Sequence, residues 1–138
     1  MWRRMNERND LVKILVIDDE YELMEGALDF AHMMNPQFQF YKTKTIKEGL
    51  EIILTLNPQI IFLDRNFNGS EKNGLYIIKE LKTNLLYENN KTTPVIGIGS
   101  FYENEREDLV EYRPKPLSYK DFEDMIKKYV GWLVLEKF

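Results

Sequence analysis

Short apolar runs alternate along the chain with stretches in which apolar residues recur at helical spacing. Residues 12–17 (VKILVI) and 60–64 (IIFLD) are almost entirely apolar and rich in β-branched side chains. Such runs are typical of strands that are covered on both faces. Residues 38–41 and 94–98 predict two further strands, and residues 109–112 predict a short fifth strand.

Helical patterns fill the intervals between these runs. The predicted helices cover residues 22–34, 46–56 and 74–82, and a last helix that begins after its cap, Ser118. In the first helix the residues at helical spacing are Leu23, Ala27, Phe30 and Met34. Strands that alternate with helices imply parallel crossovers, and therefore an open sheet with helices on both sides. We predict an α/β fold with a doubly wound, five-stranded parallel sheet.

Acidic residues follow two of the most apolar strands. Asp18, Asp19 and Glu20 come directly after the first strand, and Asp64 ends the third. In such sheets, ligands bind beyond the carboxyl ends of the strands where the strand order reverses. If the first and third strands are neighbours, three aspartates meet there. Carboxylates this close need a cation, either Mg²⁺, which prefers oxygen ligands, or Lys115 beyond the fifth strand.

Length and composition limit the other possibilities. The chain has 138 residues with 43% hydrophobic content, and we assign residues 1–10 to a polar N-terminal tail and residues 11–138 to a single domain. A net charge of −4 argues against nucleic-acid binding. The sequence contains no cysteine, which excludes disulfides and thiolate metal sites. No apolar run approaches the ~20 residues that span a bilayer, so we expect no membrane insertion and a cytoplasmic location.

Acidic side chains, a divalent cation and a lysine together suit phosphoryl transfer, in which an aspartate nucleophile forms an aspartyl-phosphate. Four segments occur in order with helices between them: ILVIDDE, IIFLD, PVIGIGS and KPL. With these segments the sequence resembles the response-regulator receiver domains of two-component signalling, from about Val12 to about Tyr129. The resemblance implies the sheet order 2-1-3-4-5.

The resemblance also implies roles for individual residues. Asp64 would be the phosphoacceptor and would take its phosphoryl group from a phosphohistidine. Asp18, Asp19 and Asp64, with the backbone carbonyl of Asn66, would bind Mg²⁺. Lys115 would pair with Asp64 and then with a phosphoryl oxygen.

Two further features follow from the same resemblance. Tyr112, three residues before Lys115, would be the aromatic switch that turns inward on phosphorylation. The Lys115-Pro116 peptide bond would be cis.

Several segments depart from the family pattern. After the phosphoacceptor the family usually has Met-Pro and then a glycine, whereas residues 65–74 read RNFNGSEKNG. The family ends its fourth strand with Thr or Ser followed by a small residue. Counting from Pro94 places Gly99 at the hydroxyl position, but a bulge would bring Ser100 there. We favour Ser100 as the hydroxyl, in which case Phe101 would crowd the entrance to the site.

The chain between Ser100 and Lys115 is short. Only 14 residues separate them, too few for both a full fourth helix and the fifth strand. We therefore expect the helix between the fourth and fifth strands to be shortened or missing.

The preferred hypothesis is a stand-alone receiver domain that switches partner binding in a phosphorelay. Its partners would be a sensor histidine kinase or a histidine phosphotransfer protein, and a downstream protein target. It would not be an enzyme, apart from self-catalysed phosphoryl transfer and slow autodephosphorylation. The apolar end of the chain, with Trp132, Leu133 and Leu135, would allow a homodimer.

Two alternatives remain open. The first is a degenerate receiver, an interaction module that works without phosphate, which the altered loops after Asp64 and Ile98 favour. The second is a haloacid-dehalogenase-like phosphatase. That family needs aspartates two residues apart on its first strand, but here Asp18 is followed two residues later by Glu20.

Overall fold

Strand and helix alternate as the sequence predicts. The computed structural model describes residues 11–131. The strands are β1 (Val12–Ile17), β2 (Phe38–Thr43), β3 (Ile60–Asp64), β4 (Val95–Ile98) and β5 (Glu111–Arg113). The helices are α1 (Glu25–Met34), α2 (Ile46–Leu56), α3 (Gly74–Thr83) and α4 (Tyr119–Val130). The predicted N-terminal tail and the apolar residues Trp132, Leu133 and Leu135 lie outside the described residues.

The five strands form one parallel sheet in the order β2-β1-β3-β4-β5, which confirms the predicted fold. β1 lies between β2 and β3, so the strand order reverses beside it. Ile17, the last residue of β1, pairs with Leu63, the residue before Asp64. The adjacency brings the segments that follow β1 and β3 to the same edge of the sheet.

Both faces of the sheet are covered by helices. Successive residues of a strand point to opposite faces, so the apolar runs supply two cores. Ile14 and Val16 pack with residues of α1 and α4, and Leu15 and Ile17 pack with residues of α2 and α3. This double burial explains why β1 and β3 are apolar without alternation.

The buried face of α1 differs from the predicted stripe. The helix begins after a 3₁₀ turn, Tyr21–Met24, and its buried residues are Leu28 and Ala31. By contrast, Leu23 is 76% exposed and Met34 is 55% exposed. Apolar residues occupy several sides of this helix, so helical spacing fits more than one face.

Two connections also differ in detail from the predictions. The fifth strand begins at Glu111 instead of residue 109, because Leu109 packs with the core on the α2 and α3 side of the sheet. The predicted loop around Tyr87 contains a 3₁₀ turn, Leu85–Asn90. Between β4 and β5 the only helical element is the 3₁₀ turn Glu103–Glu105, as expected for a missing fourth helix. Within residues 11–131, no helix has the length and apolar content needed to cross a membrane.

A buried carboxylate, Glu123 of α4, joins this helix to the end of α1. Its side chain accepts a hydrogen bond from Asn35 Nδ2 at 2.7 Å and pairs with Lys120 Nζ at 3.0 Å. The hydrogen bond from Asn35, followed by the contact with Lys120, lowers the pKa of Glu123 below its ordinary value of 4.5 and outweighs the opposing effect of burial. Glu123 therefore stabilises the fold in its ionised form.

We expect Glu123→Gln to lower the free energy of unfolding by about 1–2 kcal/mol at pH 7. A carboxylate with a lowered pKa in the folded state contributes stability above its ordinary pKa, and that contribution is lost as pH falls through the folded pKa. Urea unfolding of both proteins should therefore show a difference that shrinks below about pH 4.5. Asp124→Asn, at an exposed site on the same helix, is the control. A difference independent of pH would contradict this prediction.

Candidate functional site

A cavity of about 480 Å³ opens at the carboxyl ends of the strands. It lies where β1 and β3 are neighbours, which is the expected ligand position in such a sheet. Six of the predicted site residues line it, namely Asp19, Asp64, Asn66, Ser100, Tyr112 and Lys115. The seventh, Asp18, is completely buried.

Three aspartates converge at this cavity. One ligand oxygen from each of Asp18, Asp19 and Asp64 lies within 4.8 Å of the others. Asp18 is 0% exposed and Asp64 is 6% exposed, so little water reaches either carboxylate. The close approach results from the pairing of β1 with β3, since each strand ends beside the other.

Lys115 supplies the nearest positive charge. Its Nζ lies 2.6 Å from Asp18 Oδ2 and 3.1 Å from Asp64 Oδ2. The Lys115-Pro116 peptide bond is cis, as expected. The contact with Asp64 agrees with the sequence prediction, and the closer contact with Asp18 adds a second partner.

Burial and charge act together on these groups. Burial, followed by the negative charge of Asp18, raises the pKa of Asp64 above its ordinary value, against the opposing effect of Lys115. Burial works to lower the pKa of Lys115, but the neighbouring carboxylates outweigh it and the pKa is raised. The ammonium therefore stays charged at neutral pH, while the cluster keeps an excess of negative charge.

The donor set fits a hard divalent cation. All of its side-chain ligands are carboxylate oxygens, which Mg²⁺ and Ca²⁺ prefer over nitrogen or sulfur ligands. Asp18 Oδ2 is buried, and its contact among residues 11–131 is the ammonium of Lys115 at 2.6 Å. One ammonium does not balance three neighbouring carboxylates, so the site can accept a further cation. The residues present therefore fit a magnesium ion.

The loop after Asp64 borders the same cavity, although it lacks the Met-Pro pair. The backbone N–H of Asn68 donates to Asp19 Oδ2 at 2.8 Å. The side chain of Asn66 accepts a hydrogen bond from Arg65 Nη1 at 2.9 Å. These bonds hold the loop beside the aspartates, and the use of the Asn66 carbonyl as a metal ligand remains a prediction.

The end of β4 differs from one sequence expectation. Gly99 has a φ of +97° and approaches Asp64, while Ser100 is exposed at the rim of the cavity. Phe101 is only 2% exposed and packs against Gly97 and Tyr112. The expectation that Phe101 crowds the entrance is therefore wrong, because its side chain is buried in the core on the α2 and α3 side of the sheet. The proposed role of the Ser100 hydroxyl stays a prediction.

Comparison with known proteins identifies the architecture. No protein-family model matches the sequence, and no curated protein matches it either. Among solved structures, the signal receiver domain of a DNA-binding response regulator (merR) from Colwellia psychrerythraea 34H is similar, with a TM-score of 0.70 and 21% identity over 87% of this chain and 98% of that chain. A CheY-like receiver domain from Methylobacillus flagellatus gives a TM-score of 0.69 and 20% identity, covering 86% and 98%. The Vibrio cholerae chemotaxis protein CheY4 gives 0.69 and 14%, covering 86% and 98%.

The chain has the receiver-domain fold. Identities of this size establish the architecture alone, so the chemistry must be argued from the residues of this chain. Within the receiver fold, the aspartate cluster and Lys115 lie where the sequence resemblance places them.

The segment between β4 and β5 contains a 3₁₀ turn and no α-helix. We call residues 101–110 the crossover segment. Arg65, directly after Asp64, makes a bidentate pair with Glu105 of this segment, at 2.7 and 2.8 Å. The Arg65 guanidinium also lies 4.8 Å from the ring centroid of Tyr102. The crossover segment is thus joined by side-chain contacts to the residue that directly follows β3.

A second arginine, Arg106, connects the start of the crossover segment to β5. The guanidinium of Arg106 donates to the carbonyl oxygen of Phe101, at 2.9 Å from Nη2, and lies 3.9 Å from the ring centroid of Tyr112. The Tyr112 hydroxyl donates to the carbonyl oxygen of Gly99. Tyr112 therefore connects the crossover segment to the backbone beside Asp64.

Sequence analysis missed three of these residues, namely Gly99 as a contact of Asp64, Arg65 and Glu105. Arg65 carried one usable signal, its position immediately after the predicted phosphoacceptor. Glu105 lies in a run of charged residues without periodicity, which shows no partner. Gly99 was considered only for its missing hydroxyl, because neither φ nor a close approach can be seen in one sequence.

Proposed function

We propose that this chain is a phosphoacceptor signalling domain that takes a phosphoryl group on Asp64 from a phosphohistidine donor and thereby changes its binding to a partner. The single observation that supports this proposal most is the convergence of three aspartates within 4.8 Å of one another beside Lys115. A receiver fold that served only as a scaffold would have no need of a buried, unbalanced acidic cluster.

Each residue of the cluster has a part in this proposal. Asp18, Asp19 and Asp64, with the backbone carbonyl of Asn66, would hold Mg²⁺. When bound, the cation would neutralise charge on the phosphoryl oxygens. An oxygen of Asp64 attacks phosphorus, so that an O–P bond forms as the N–P bond to the donor histidine breaks. Lys115 then transfers its contact from Asp64 to a phosphoryl oxygen, which keeps the added charge paired.

Tyr112 and the crossover segment are the proposed output of the reaction. The hydroxyl of Tyr112 is bonded to Gly99, and Gly99 approaches Asp64. A phosphoryl group on Asp64 would therefore perturb the residues that hold Tyr112. The expected partners are a sensor histidine kinase or a histidine phosphotransfer protein, and a downstream protein. We expect a cytoplasmic location, no direct binding to nucleic acid, and a chain that can form a homodimer.

A degenerate receiver is the second candidate. Gly99 provides no hydroxyl at the end of β4, and Ser100, the other candidate, is exposed at the rim. The loop after Asp64 is also altered. In that case the same surface would bind a partner without phosphate.

Incubation with acetyl phosphate and Mg²⁺, followed by intact-mass measurement, tests the proposal. We expect the wild-type protein to gain the mass of one phosphoryl group and Asp64→Asn to gain none, because the amide is not a nucleophile for phosphorus. Asp124→Asn, which changes an exposed aspartate on α4, should behave like the wild type. No gain in a folded wild-type protein, and no binding of beryllofluoride, would favour the degenerate receiver.

A further inference from the structure

We propose that Gly99 is a positioning residue for Asp64, because the absence of a side chain at residue 99 leaves free the space that the carboxylate occupies. The inference deepens the proposed function, and its consequence for phosphoryl transfer rests on that function. Its structural part concerns the unliganded protein and can be tested separately.

The space between Gly99 and Asp64 leaves no room for a side chain. A Cβ built on Gly99 would lie 2.5 Å from Asp64 Oδ1 and 3.5 Å from Lys115 Cε. The first distance is far inside van der Waals contact, whereas the second is an ordinary contact. Any residue other than glycine would therefore collide with the carboxylate of Asp64 itself.

Neither oxygen of Asp64 is free to give way. Oδ1 accepts the backbone N–H of Arg65 at 2.8 Å, and Oδ2 accepts a hydrogen bond from Lys115 Nζ at 3.1 Å. Rotation of the carboxyl group away from a new Cβ would weaken at least one of these bonds. It would also move a ligand oxygen out of the aspartate cluster.

The backbone at residue 99 is also held. Its carbonyl oxygen accepts the hydroxyl of Tyr112, and its N–H donates to the carbonyl oxygen of Arg113 at 3.4 Å. Its φ of +97° lies in a region that only glycine adopts readily. Relief of the collision must therefore come from Asp64, which is the residue that carries the proposed chemistry.

The inference reverses an expectation from the family resemblance. Receiver domains usually have Ser or Thr at the end of the fourth strand, so Gly99→Ser would seem to restore a missing hydroxyl. In this chain the added Cβ displaces the carboxylate before the hydroxyl can contact a phosphoryl group. We expect Gly99→Ser to weaken the site, as Gly99→Ala does.

A melting experiment on the unliganded protein tests the contact directly. Gly69 is the matched control, because it also has a positive φ, +75°, but a Cβ there meets no atom within 4 Å. Gly69→Ala therefore reports the backbone strain alone. We expect Gly99→Ala to lower the Tm by more than Gly69→Ala does. In an Asp64→Ala background, where the colliding atoms are absent, that excess should vanish.

This comparison of the single and double variants tests the contact between residue 99 and Asp64 whichever of the variants fold. Equal losses of Tm from Gly99→Ala and Gly69→Ala, or an excess that persists in the Asp64→Ala background, would overturn the proposal. If Gly99→Ala does not fold, folding of the double variant supports the contact and failure of both variants overturns it.

Mg²⁺ titration provides the second measurement. Changing a residue that holds a metal ligand in position typically lowers the affinity for the metal by about 10–100-fold. Gly99→Ala and Gly99→Ser should therefore each raise the dissociation constant for Mg²⁺ by at least about tenfold. Gly131→Ala, at the end of α4, is the control for this measurement and should leave the dissociation constant unchanged, because it also has a positive φ, +73°, and lies away from the cavity. Unchanged binding by Gly99→Ser would contradict the inference. If the wild type itself neither binds Mg²⁺ nor accepts phosphate, the proposed function fails, while the melting cycle still decides the role of Gly99.

Discussion

Lys115→Met lowers the free energy of unfolding by about 3 kcal/mol at pH 7 in the absence of Mg²⁺, the expected cost of removing one partner from a buried ion pair. The ammonium contacts both Asp18 and Asp64, and these carboxylates would otherwise face each other in an almost dry site. We place the cost at the lower end of the usual range, because the Lys115 side chain is 23% exposed. Urea unfolding of both proteins in EDTA measures it.

The dependence on pH and metal identifies the cause of this loss. A lysine with a raised pKa contributes stability that is complete below its ordinary pKa of 10.5 and is lost as pH rises through the folded value. The full difference is therefore expected at pH 7. Added Mg²⁺ should reduce the deficit, since binding to the folded state stabilises it and offsets the same carboxylates. Lys79→Met, at an exposed site on α3, should cost little, and an equal loss in both variants would contradict the ion-pair explanation.

Asp19→Asn is the second large effect, and it separates metal binding from stability. We expect the dissociation constant for Mg²⁺ to rise by about 10–100-fold, because a charged ligand is replaced by a neutral amide. The amide can still accept the hydrogen bond that the N–H of Asn68 donates to Asp19. The unliganded protein should therefore keep its stability or gain some, since the change removes one charge from a repelling cluster.

Isothermal titration calorimetry of Mg²⁺ and thermal melting in EDTA measure these two quantities. Asp124→Asn is the control for the loss of a surface carboxylate. An Asp19→Asn protein that binds Mg²⁺ as tightly as the wild type would show that Asp19 is not a ligand. A large loss of stability in EDTA would instead assign it a structural role.

The strands could be predicted closely from the sequence, and the reason is physical. β1 and β3 are buried on both faces, so their apolar runs have the same bounds as the strands themselves. The acidic residues beyond them needed one further assumption, that these strands are neighbours, and the topology confirms it. Lys115 was predicted to contact Asp64, but its closer contact with Asp18 depends on side-chain geometry that spacing does not contain.

The errors have physical causes as well. The face of α1 was ambiguous, because apolar residues surround that helix. The predicted position of Phe101 was wrong, because its side chain is buried in the core instead of lining the cavity. The bounds of β5 shifted, because Leu109 packs with the core before the strand begins. In each case the hydrophobic pattern shows that a residue is apolar but does not determine which neighbours it packs against.

The pair between Arg65 and Glu105 has a mechanical consequence. It connects the residue that follows Asp64 to the middle of the crossover segment, whose two ends adjoin the sheet. A displacement of Arg65 would therefore also displace the Tyr102 ring, which lies against the Arg65 guanidinium and is 63% exposed. The affinity of a partner that binds Tyr102 would then depend on the state of the aspartate cluster, and Arg65 would be the connecting residue.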